Sequence, residues 1–257
     1  MANPGTGRFC WHELVTSNLE AATTFYQDLF GWTFRDMPSP AAGGNYRMFS
    51  LGETMVAGAM AAPSGVPSGW LVYVAVDDTD ISAKKVTDLG GKIMVPPTTV
   101  PDMLRFACGM DPQGAAFGIL QPLGAAAQQQ PYEGPARLGT FCWNELHTKD
   151  TAAAKTFYGG VFGWGGKGEA GGGEAYWHWK LGDKEIGGMT SHMGGPNVPP
   201  HWLAYLAVSD VDAVTKKAES LGGKVMMPAM EIAKVGRFSI VQDPTGAVFS
   251  PFRSARV

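Results

Sequence analysis

Cysteines are scarce in this chain, and their number is odd. Only three occur in 257 residues, and Cys10 and Cys142 occupy equivalent positions in two similar segments. Disulfide frameworks use larger, even sets of cysteines, so the sequence predicts buried, reduced thiols instead of a cross-linked fold.

Clusters of positive charge and long apolar runs are also missing. The 20 Lys and Arg residues are outnumbered by 23 Asp and Glu residues and are scattered along the chain. Nucleic-acid binding needs a concentrated basic surface, so we expect no nucleic-acid partner. No segment reaches the roughly 18 apolar residues of a membrane-spanning helix, and no basic stretch followed by an apolar run begins the chain. We therefore expect no membrane partner and a cytoplasmic location.

Two familiar motif classes are absent as well. The chain has no G-x-S-x-G segment and no C-x-x-C pair, so it offers no support for a serine hydrolase or a zinc ribbon. Gly90-Gly91-Lys92 and Gly222-Gly223-Lys224 lack the spacing of a phosphate loop and are typical of helix ends.

An internal repeat organises the sequence. The stretch Phe9–Leu14 returns as Phe141–Leu146, and Phe141 follows Phe9 by 132 residues. The same offset relates several further pairs, which are Phe25-Tyr26 and Phe157-Tyr158, Gly31-Trp32 and Gly163-Trp164, Trp70-Leu71 and Trp202-Leu203, and Asp111-Pro112 and Asp243-Pro244. Such a repeat predicts two similar folded halves.

Each half is predicted to contain two βαβββ modules. In the first module, residues 9–16 form a strand, Ser17 or Asn18 caps a helix, and Gly31 ends that helix. Three strands separated by Gly and Pro turns follow, and the same order of elements then begins again near Trp70. We predict an N-terminal domain over 1–123, a linker over 124–137 and a C-terminal domain over 138–257.

The order of these motifs resembles the vicinal oxygen chelate superfamily, which contains glyoxalase I, bleomycin-resistance proteins and extradiol dioxygenases. The likeness rests on an aromatic first strand, a helix ending in Phe-Tyr-x-x-x-Phe-Gly-Trp, a helix ending in Leu-Gly-Gly-Lys and a closing Asp-Pro-x-Gly turn, each present twice. The resemblance implies an α+β fold with two tandem glyoxalase-like domains. Each domain would consist of two βαβββ modules that form a cup-shaped sheet, with a ligand inside the cup.

The metal ligands of the family do not recur in this chain. The resemblance implies four ligand positions in each cup, which fall on Trp11, Gly58, Leu71 and Gly118 and on Trp143, Gly188, Leu203 and Ser250. Only the serine has a side-chain donor atom, and it is a weak ligand for a divalent ion. We therefore expect no metal site and no other cofactor.

One carboxylate in each half follows the lost first ligand position. Alternation along the strand places Glu13 on the face of Trp11, and Glu145 is its repeat equivalent. A carboxylate in a pocket can act as a general base or bind a polar ligand. The alternative is a buried ion pair of Glu13 with Arg105, and of Glu145 with Arg237, across the sheet.

Aromatic residues share the predicted cup faces. By the same alternation, these faces carry Trp11, Trp143, Tyr73 and Tyr205. Aromatic walls with few polar groups are typical of small-molecule pockets, and with the arginines they make the candidate ligand-binding set. The alternative is that these large side chains only fill the core.

Histidines are concentrated in the second half. His12 is predicted to face away from its cup, whereas His147, His178, His192 and His201 all belong to the second half. Parity places three of these four, His147, His192 and His201, on the second cup face. Imidazole suits proton transfer near neutral pH, although histidines at strand ends are also common as solvated rim residues.

Two functions remain open from the sequence. The first is a bleomycin-resistance-like protein that holds a small organic molecule in an aromatic cup without the family's metal. The second is a metal-independent, lyase-like or hydroxylase-like enzyme with catalytic candidates Glu145, Glu13, His147 and His201. Both a monomer and a homodimer are compatible with the sequence, and a small molecule is the expected partner.

Overall fold

The computed structural model describes residues 5–39, 44–124, 127, 136–168, 176–191, 194–195 and 197–255. In the first half these residues form β1 (Phe9–Thr16), α1 (Leu19–Phe30), β2 (Thr33–Ser39), β3 (Gly44–Leu51), β4 (Thr54–Ala61), β5 (Gly69–Ala75), α2 (Thr79–Asp88), β6 (Lys92–Val100), β7 (Leu104–Met110) and β8 (Ala116–Pro122). In the second half they form β9 (Phe141–His147), α3 (Thr151–Phe162), β10 (Gly165–Gly168), β11 (Trp177–Leu181), β12 (Lys184–Thr190), β13 (His201–Ala207), α4 (Val211–Ser220), β14 (Lys224–Ile232), β15 (Gly236–Gln242) and β16 (Val248–Ser254).

These strands form two eight-stranded sheets with the same order. The first sheet runs β2-β3-β4-β1-β5-β8-β7-β6, and the second runs β10-β11-β12-β9-β13-β16-β15-β14. Within each module the first and last strands pair in parallel, as β1 does with β4 and β13 with β16. The predicted α+β fold of two tandem domains, each with two βαβββ modules, is confirmed.

The helix signals in the sequence act as predicted. The side chain of Asn18 accepts a hydrogen bond from the Ala21 amide and caps α1, and Gly31 ends the helix with φ of 72°. Asp150 and Gly163 do the same for α3, where Gly163 also has φ of 72°. A side chain at either glycine would be strained in this left-handed conformation.

The chain divides into two compact units that do not follow the sequence halves. Unit 1 contains the described residues of Met1–Trp11, Leu71–Glu133 and Asn144–Trp202. Unit 2 contains those of His12–Trp70, Gly134–Trp143 and Leu203–Val257. Each unit therefore combines most of one module from each half. The domain boundaries at 123 and 138 stay a prediction.

A buried tyrosine joins the two modules of unit 1. The Tyr158 hydroxyl donates to Asp111 Oδ2 at 3.1 Å and accepts a hydrogen bond from Trp202 Nε1 at 3.0 Å. Tyr158 is fully buried, and desolvation followed by the charge of Asp111 raises its pKa well above the usual value. The Asp-Pro turn of the first half is thus fixed to α3 of the second half.

Unit 2 has the equivalent arrangement. Tyr26 donates to Asp243 Oδ2 at 3.0 Å and accepts from Trp70 Nε1 at 2.9 Å. The other carboxylate oxygen of Asp243 accepts amide hydrogens of its own turn, including that of Gly246 at 2.9 Å. The repeated Asp-Pro-x-Gly motif therefore forms a tight turn and also provides a buried hydrogen-bond acceptor.

The cysteine prediction is correct in one respect and wrong in another. Cys10, Cys108 and Cys142 are free thiols, but Cys10 is exposed and the other two are half-buried. Burial raises the pKa of Cys142 to about 12, so this thiol stays protonated at neutral pH.

Among the described helices, none is long and apolar enough to cross a membrane.

Candidate functional site

A row of residues crosses four strands of the second sheet on one face. Glu145 of β9 is in register with Gly188 of β12, Gly188 with His178 of β11, and His178 with Lys167 of β10. Residues directly opposite each other on paired strands point to the same side of a sheet. The row therefore collects a carboxylate, an imidazole and an ammonium group on one surface of unit 1.

Glu145 is in contact with a histidine on its own strand. Glu145 Oε1 lies 2.8 Å from His147 Nε2, and the two residues are only 8% and 7% exposed. Their spacing of two residues puts both side chains on one strand face, as the alternation predicts. The two atoms are close, but the ring N–H is poorly aligned for a hydrogen bond to this oxygen.

His201 extends this pair. It is the first residue of β13, and its ring stacks on that of His147 with centroids 4.7 Å apart. His201 Nδ1 lies 2.9 Å from the carbonyl oxygen of Pro199, so this nitrogen carries the hydrogen and donates it. Desolvation, and then repulsion from His147, lower the pKa of His201. Its imidazole is therefore neutral at neutral pH.

A second imidazole and carboxylate pair lies at the other end of the row. His178 Nδ1 is 3.3 Å from Glu185 Oε2, and Glu185 Oε1 is 3.1 Å from Lys167 Nζ. Burial alone would raise the pKa of Glu185, but the bond from Lys167 and the nearby charges lower it overall. Glu185 is therefore ionised at neutral pH and places a negative charge beside the His178 ring.

The first sheet has the same row without this chemistry. Glu13 of β1 is in register with Gly58 of β4, and Gly58 with Met48 of β3. Tyr46 covers Gly58, because a Cβ atom on that glycine would lie 1.7 Å from the tyrosine hydroxyl oxygen. Val15 occupies the position equivalent to His147.

The residues at the family's metal-ligand positions do not fit a metal ion. At Gly58 a ligand side chain would collide with Tyr46, and at Gly118 a Cβ atom would lie 2.2 Å from the Tyr73 ring. The Ser250 hydroxyl donates to the Ser239 carbonyl at 2.7 Å. In the part of the chain that the structure describes, no three His, Cys, Asp or Glu side chains form a group able to hold a metal.

The arginines of the alternative ion pairs bond to aspartates in the structure. Arg105 donates to both carboxylate oxygens of Asp80 at 2.7 Å and to Thr99, and Arg237 donates to both oxygens of Asp212 at 2.7 Å. Cys108 of β7 is in register with Gly118 of β8, one of the cup positions. Arg105 is three residues from Cys108, so its side chain lies on the other face of the sheet. This position removes the geometric reason for placing Arg105 in a cup. The aspartates are themselves repeat equivalents, which was the signal that the sequence offered.

The aromatic candidates differ in burial. Tyr73 and Tyr205 are 3% and 6% exposed, and Tyr205 packs on Phe238 and Phe252. Their burial favours the interpretation that they fill the core. Trp11 and Trp143 are half-buried and keep some exposed surface.

His12 does not join the row. The His12 ring stacks on Phe141 with centroids 3.7 Å apart, on the face opposite to Glu13, as the alternation predicts. His192 lies outside the described residues. Sequence reasoning missed the pairing of His178 with Glu185 and Lys167. The repeat contained the available signal: the first half has Met48, Met55 and Arg35 at the equivalent positions, so the histidine and the glutamate depart from the repeat.

Two cavities lie away from the row. One, of about 410 Å³, is in unit 1 at the C-terminal end of α3, beside Gly7 and Val76. The other, of about 240 Å³, is its repeat equivalent in unit 2, beside Gly139 and Val208. Their lining carries none of the glutamates or histidines discussed above, so the candidate chemistry rests on the row.

The comparison with known protein families agrees with this architecture. A family model, described as the Glyoxalase/Bleomycin resistance protein/Dioxygenase superfamily, matches residues 8–119 and 140–250. The chain belongs to this superfamily. The predicted family resemblance is thereby confirmed, once for each half.

Similar proteins include two bacterial relatives of nearly the same length. A Mycobacterium tuberculosis protein named "Putative glyoxylase CFP32" is 39% identical over 254 residues, which cover 95% of this chain and 94% of the relative. The anthracycline biosynthesis protein DnrV of Streptomyces peucetius is 33% identical over 262 residues, covering 95% of this chain and 92% of the relative.

Solved structures of similar fold are more distant in sequence. The Mn(II)-bound glyoxalase from Novosphingobium aromaticivorans has a TM-score of 0.65 at 15% identity, covering 98% of this chain and 83% of that one. The 2,3-dioxygenase LapB from Pseudomonas sp. KL28 has a TM-score of 0.65 at 14% identity, covering 98% and 94%. At such identities the likeness shows the fold alone.

Proposed function

We propose that this protein binds a small planar organic molecule against the polar row of the second sheet and transforms it by proton transfer without the family's metal. The contact of 2.8 Å between the buried carboxylate of Glu145 and His147 Nε2 is the observation that carries the proposal. A carboxylate beside an imidazole is a recurrent general-base arrangement, because the negative charge stabilises the protonated form of the ring.

The roles of the three residues follow from their contacts. His147 accepts a proton from an acidic C–H or O–H bond of the substrate, and Glu145 stabilises the imidazolium that results. His201 is neutral because its pKa is lowered, and its stacked ring limits the motion of His147. No electron leaves the substrate, so this step needs neither an oxidant nor a reductant.

The ligand class is supported by chemistry and by a relative. The row offers hydrogen-bonding groups suited to a molecule with carbonyl or phenol oxygens. DnrV is named for anthracycline biosynthesis, and anthracyclines are polycyclic aromatic ketones and phenols. A planar aromatic ketone is therefore the substrate class that we assign to the row.

The test uses 1-tetralone, a bicyclic aromatic ketone whose C2 hydrogens are adjacent to the carbonyl group. Binding is measured by isothermal titration calorimetry, and exchange of the C2 hydrogens in D₂O is measured by NMR. We expect Glu145→Gln to slow exchange by about 100-fold or more, because the general base His147 loses the carboxylate that stabilises its protonated form. The matched variant Glu13→Gln should leave exchange within about twofold, because Val15 provides no imidazole on that strand.

A second candidate function is binding without chemistry. It is favoured by the family model, which includes bleomycin-resistance proteins. Tight binding of 1-tetralone with no accelerated exchange would support it and would overturn the catalytic proposal. Absence of binding would overturn both for this substrate class.

A further inference from the structure

We infer that His178 is the proton donor for the substrate oxygen, so that the second sheet carries an acid and a base for enolising a ketone. The inference rests on the proposed function, since it concerns the same substrate and the same row. It adds a residue, a role and a definite reaction: removal of a hydrogen next to a carbonyl group together with protonation of the carbonyl oxygen.

The position of His178 is the first argument. Glu145, Gly188 and His178 stand in register on three adjacent strands, so the two ionisable residues lie two strand spacings apart. Adjacent strands are about 4.8 Å apart, which separates the two backbones by roughly 10 Å. Gly188 contributes no side chain between them. The two side chains reach toward the space above this glycine, where a ketone would have its α C–H bond toward His147 and its oxygen toward His178.

The charge around His178 is the second argument. Glu185 is ionised, and its Oε2 lies 3.3 Å from His178 Nδ1. Because the carboxylate of Glu185 lies beside Nδ1, we assign proton transfer to the substrate to Nε2, the other ring nitrogen. Lys167 holds the second oxygen of Glu185 at 3.1 Å and so fixes the carboxylate in this orientation.

The repeat is the third argument. In the first sheet, the positions of His178, Glu185 and Lys167 are occupied by Met48, Met55 and Arg35. A structural role common to both sheets would call for similar residues at these positions. Of the two rows, that of the second sheet has an imidazole beside its glutamate and another on the strand beyond the glycine, and these are the two groups that an enolisation needs.

The step balances without an external reagent. His147 takes the proton from the α carbon, and the electron pair of the C–H bond forms a C=C bond. The π electrons of the carbonyl group move to oxygen, which accepts the proton of His178. The product is the enol, and the reverse sequence returns the ketone with a solvent-derived hydrogen at the α carbon.

The experiment compares His178→Met with the wild-type protein and with Met48→His, which places the imidazole in the first sheet. We expect His178→Met to bind 1-tetralone with a Kd within about threefold of wild type and to exchange its C2 hydrogens at least 30-fold more slowly. Met48→His should change neither quantity. His178→Gln keeps a polar side chain but cannot transfer a proton near neutral pH, so it should be as slow as the methionine variant.

Each outcome decides between roles. Normal exchange in His178→Met would overturn the inference and leave the Glu145–His147 base intact. Exchange restored by His178→Gln would show that a polar contact suffices, which also overturns proton donation. Loss of binding together with a lowered melting temperature in both variants would assign His178 a structural role. Failure of wild-type protein to bind 1-tetralone is a failure of the proposed function itself, and the calorimetry detects it before any variant is made.

Discussion

The first modules of the two sheets share a framework and differ in chemistry. Residues 12–70 belong to unit 2 and residues 144–202 to unit 1. In each module a buried tyrosine on the helix accepts a hydrogen bond from a tryptophan, through Tyr26 with Trp70 and through Tyr158 with Trp202. The framework is thus common to both modules, while His147 and His178 of the row occur in the second, where the first has Val15 and Met48.

On the face of the sheet that packs against the helix, it is the first module that carries an ionic network. In the first module the guanidinium of Arg47 is buried and bonds to Asp36, Glu20 and Thr23. In the second module Trp177 stands in its place, and Lys155 lies 3.8 Å above the indole ring. Where the first module places its ionic network against the helix, the second places its charges on the row. The comparison teaches that a repeated fold can exchange the location of its polar groups without changing its strand order.

The largest effect is expected when the second module is given the residues of the first. The double variant His147→Val, His201→Gly carries the amino acids found at Val15 and Gly69. Because the general base is lost, we expect 1-tetralone exchange to fall by about 100-fold or more. Exchange measured by NMR at saturating ketone checks this, and a rate within threefold of wild type would contradict it. Folding is verified by circular dichroism on the same sample.

The shared framework is tested by removing each tyrosine hydroxyl. Tyr26→Phe leaves the carboxylate of Asp243 and the indole N–H of Trp70 without this partner, and Tyr158→Phe does the same in unit 1. Unsatisfied buried groups cost about 1–3 kcal/mol each, so we expect each variant to lose roughly 2–4 kcal/mol of unfolding free energy. Urea denaturation measures both. A loss in one variant at least twice that in the other would show that the two units do not depend equally on this contact.

The ionic network of the first module predicts a response to acid. Hydrogen bonds from Arg47 lower the pKa of Asp36 below its ordinary value of 3.8. Since the folded-state pKa is depressed, the stabilisation is present above pH 3.8 and is lost as the pH falls through the folded pKa. We expect Arg47→Met to cost about 1–2 kcal/mol at pH 7, because Asp36 and Glu20 are partly solvated, and to cost progressively less below pH 3.8. Thermal unfolding at pH 7, 4 and 3 checks this; a cost independent of pH would exclude the contribution of Asp36.

The smallest expected effect concerns two buried tryptophans. Trp32 Nε1 donates to the Gly139 carbonyl at 2.8 Å, whereas the buried Nε1 of Trp179 makes no hydrogen bond among the described residues. Phenylalanine already occupies the position equivalent to Trp179, at Phe49. We expect Trp179→Phe to change stability by less than about 1 kcal/mol, because the cavity it leaves is offset by removal of an unsatisfied donor. In urea denaturation, Trp32→Phe should lower the unfolding free energy more than Trp179→Phe does. The reverse order would contradict this explanation.

The sequence predicted the elements well because their signals are local. Asn18, Gly31 and their equivalents begin and end helices through their own backbone geometry, so the repeat and the turn residues were enough. Alternation along β9 also predicted that Glu145 and His147 share a face. These predictions needed no knowledge of which segments meet in space.

The partners of charged side chains could not be predicted in this way. Arg105 bonds to Asp80, which lies 25 residues earlier in the chain. The contact of His178 with Glu185 depends on a shift in register after Trp179, which the sequence gives no means of locating. The joining of Tyr158 to Asp111 likewise depends on which modules pack together, and a repeat alone allows more than one answer.

Because each unit contains a module from each half, the chain cannot be divided between its halves without separating residues that bond to each other. A break in the segment between residues 124 and 137 would leave each fragment with a whole eight-stranded sheet, yet each buried tyrosine would lose the aspartate that it bonds, since Tyr26 requires Asp243 and Tyr158 requires Asp111. The fragments would then complete one another only as a pair, in the manner of a split reporter protein. Alternatively, one fragment could supply its own Tyr26 and Asp111 to a second copy of itself, and thereby form a symmetric dimer from what is here a tandem repeat.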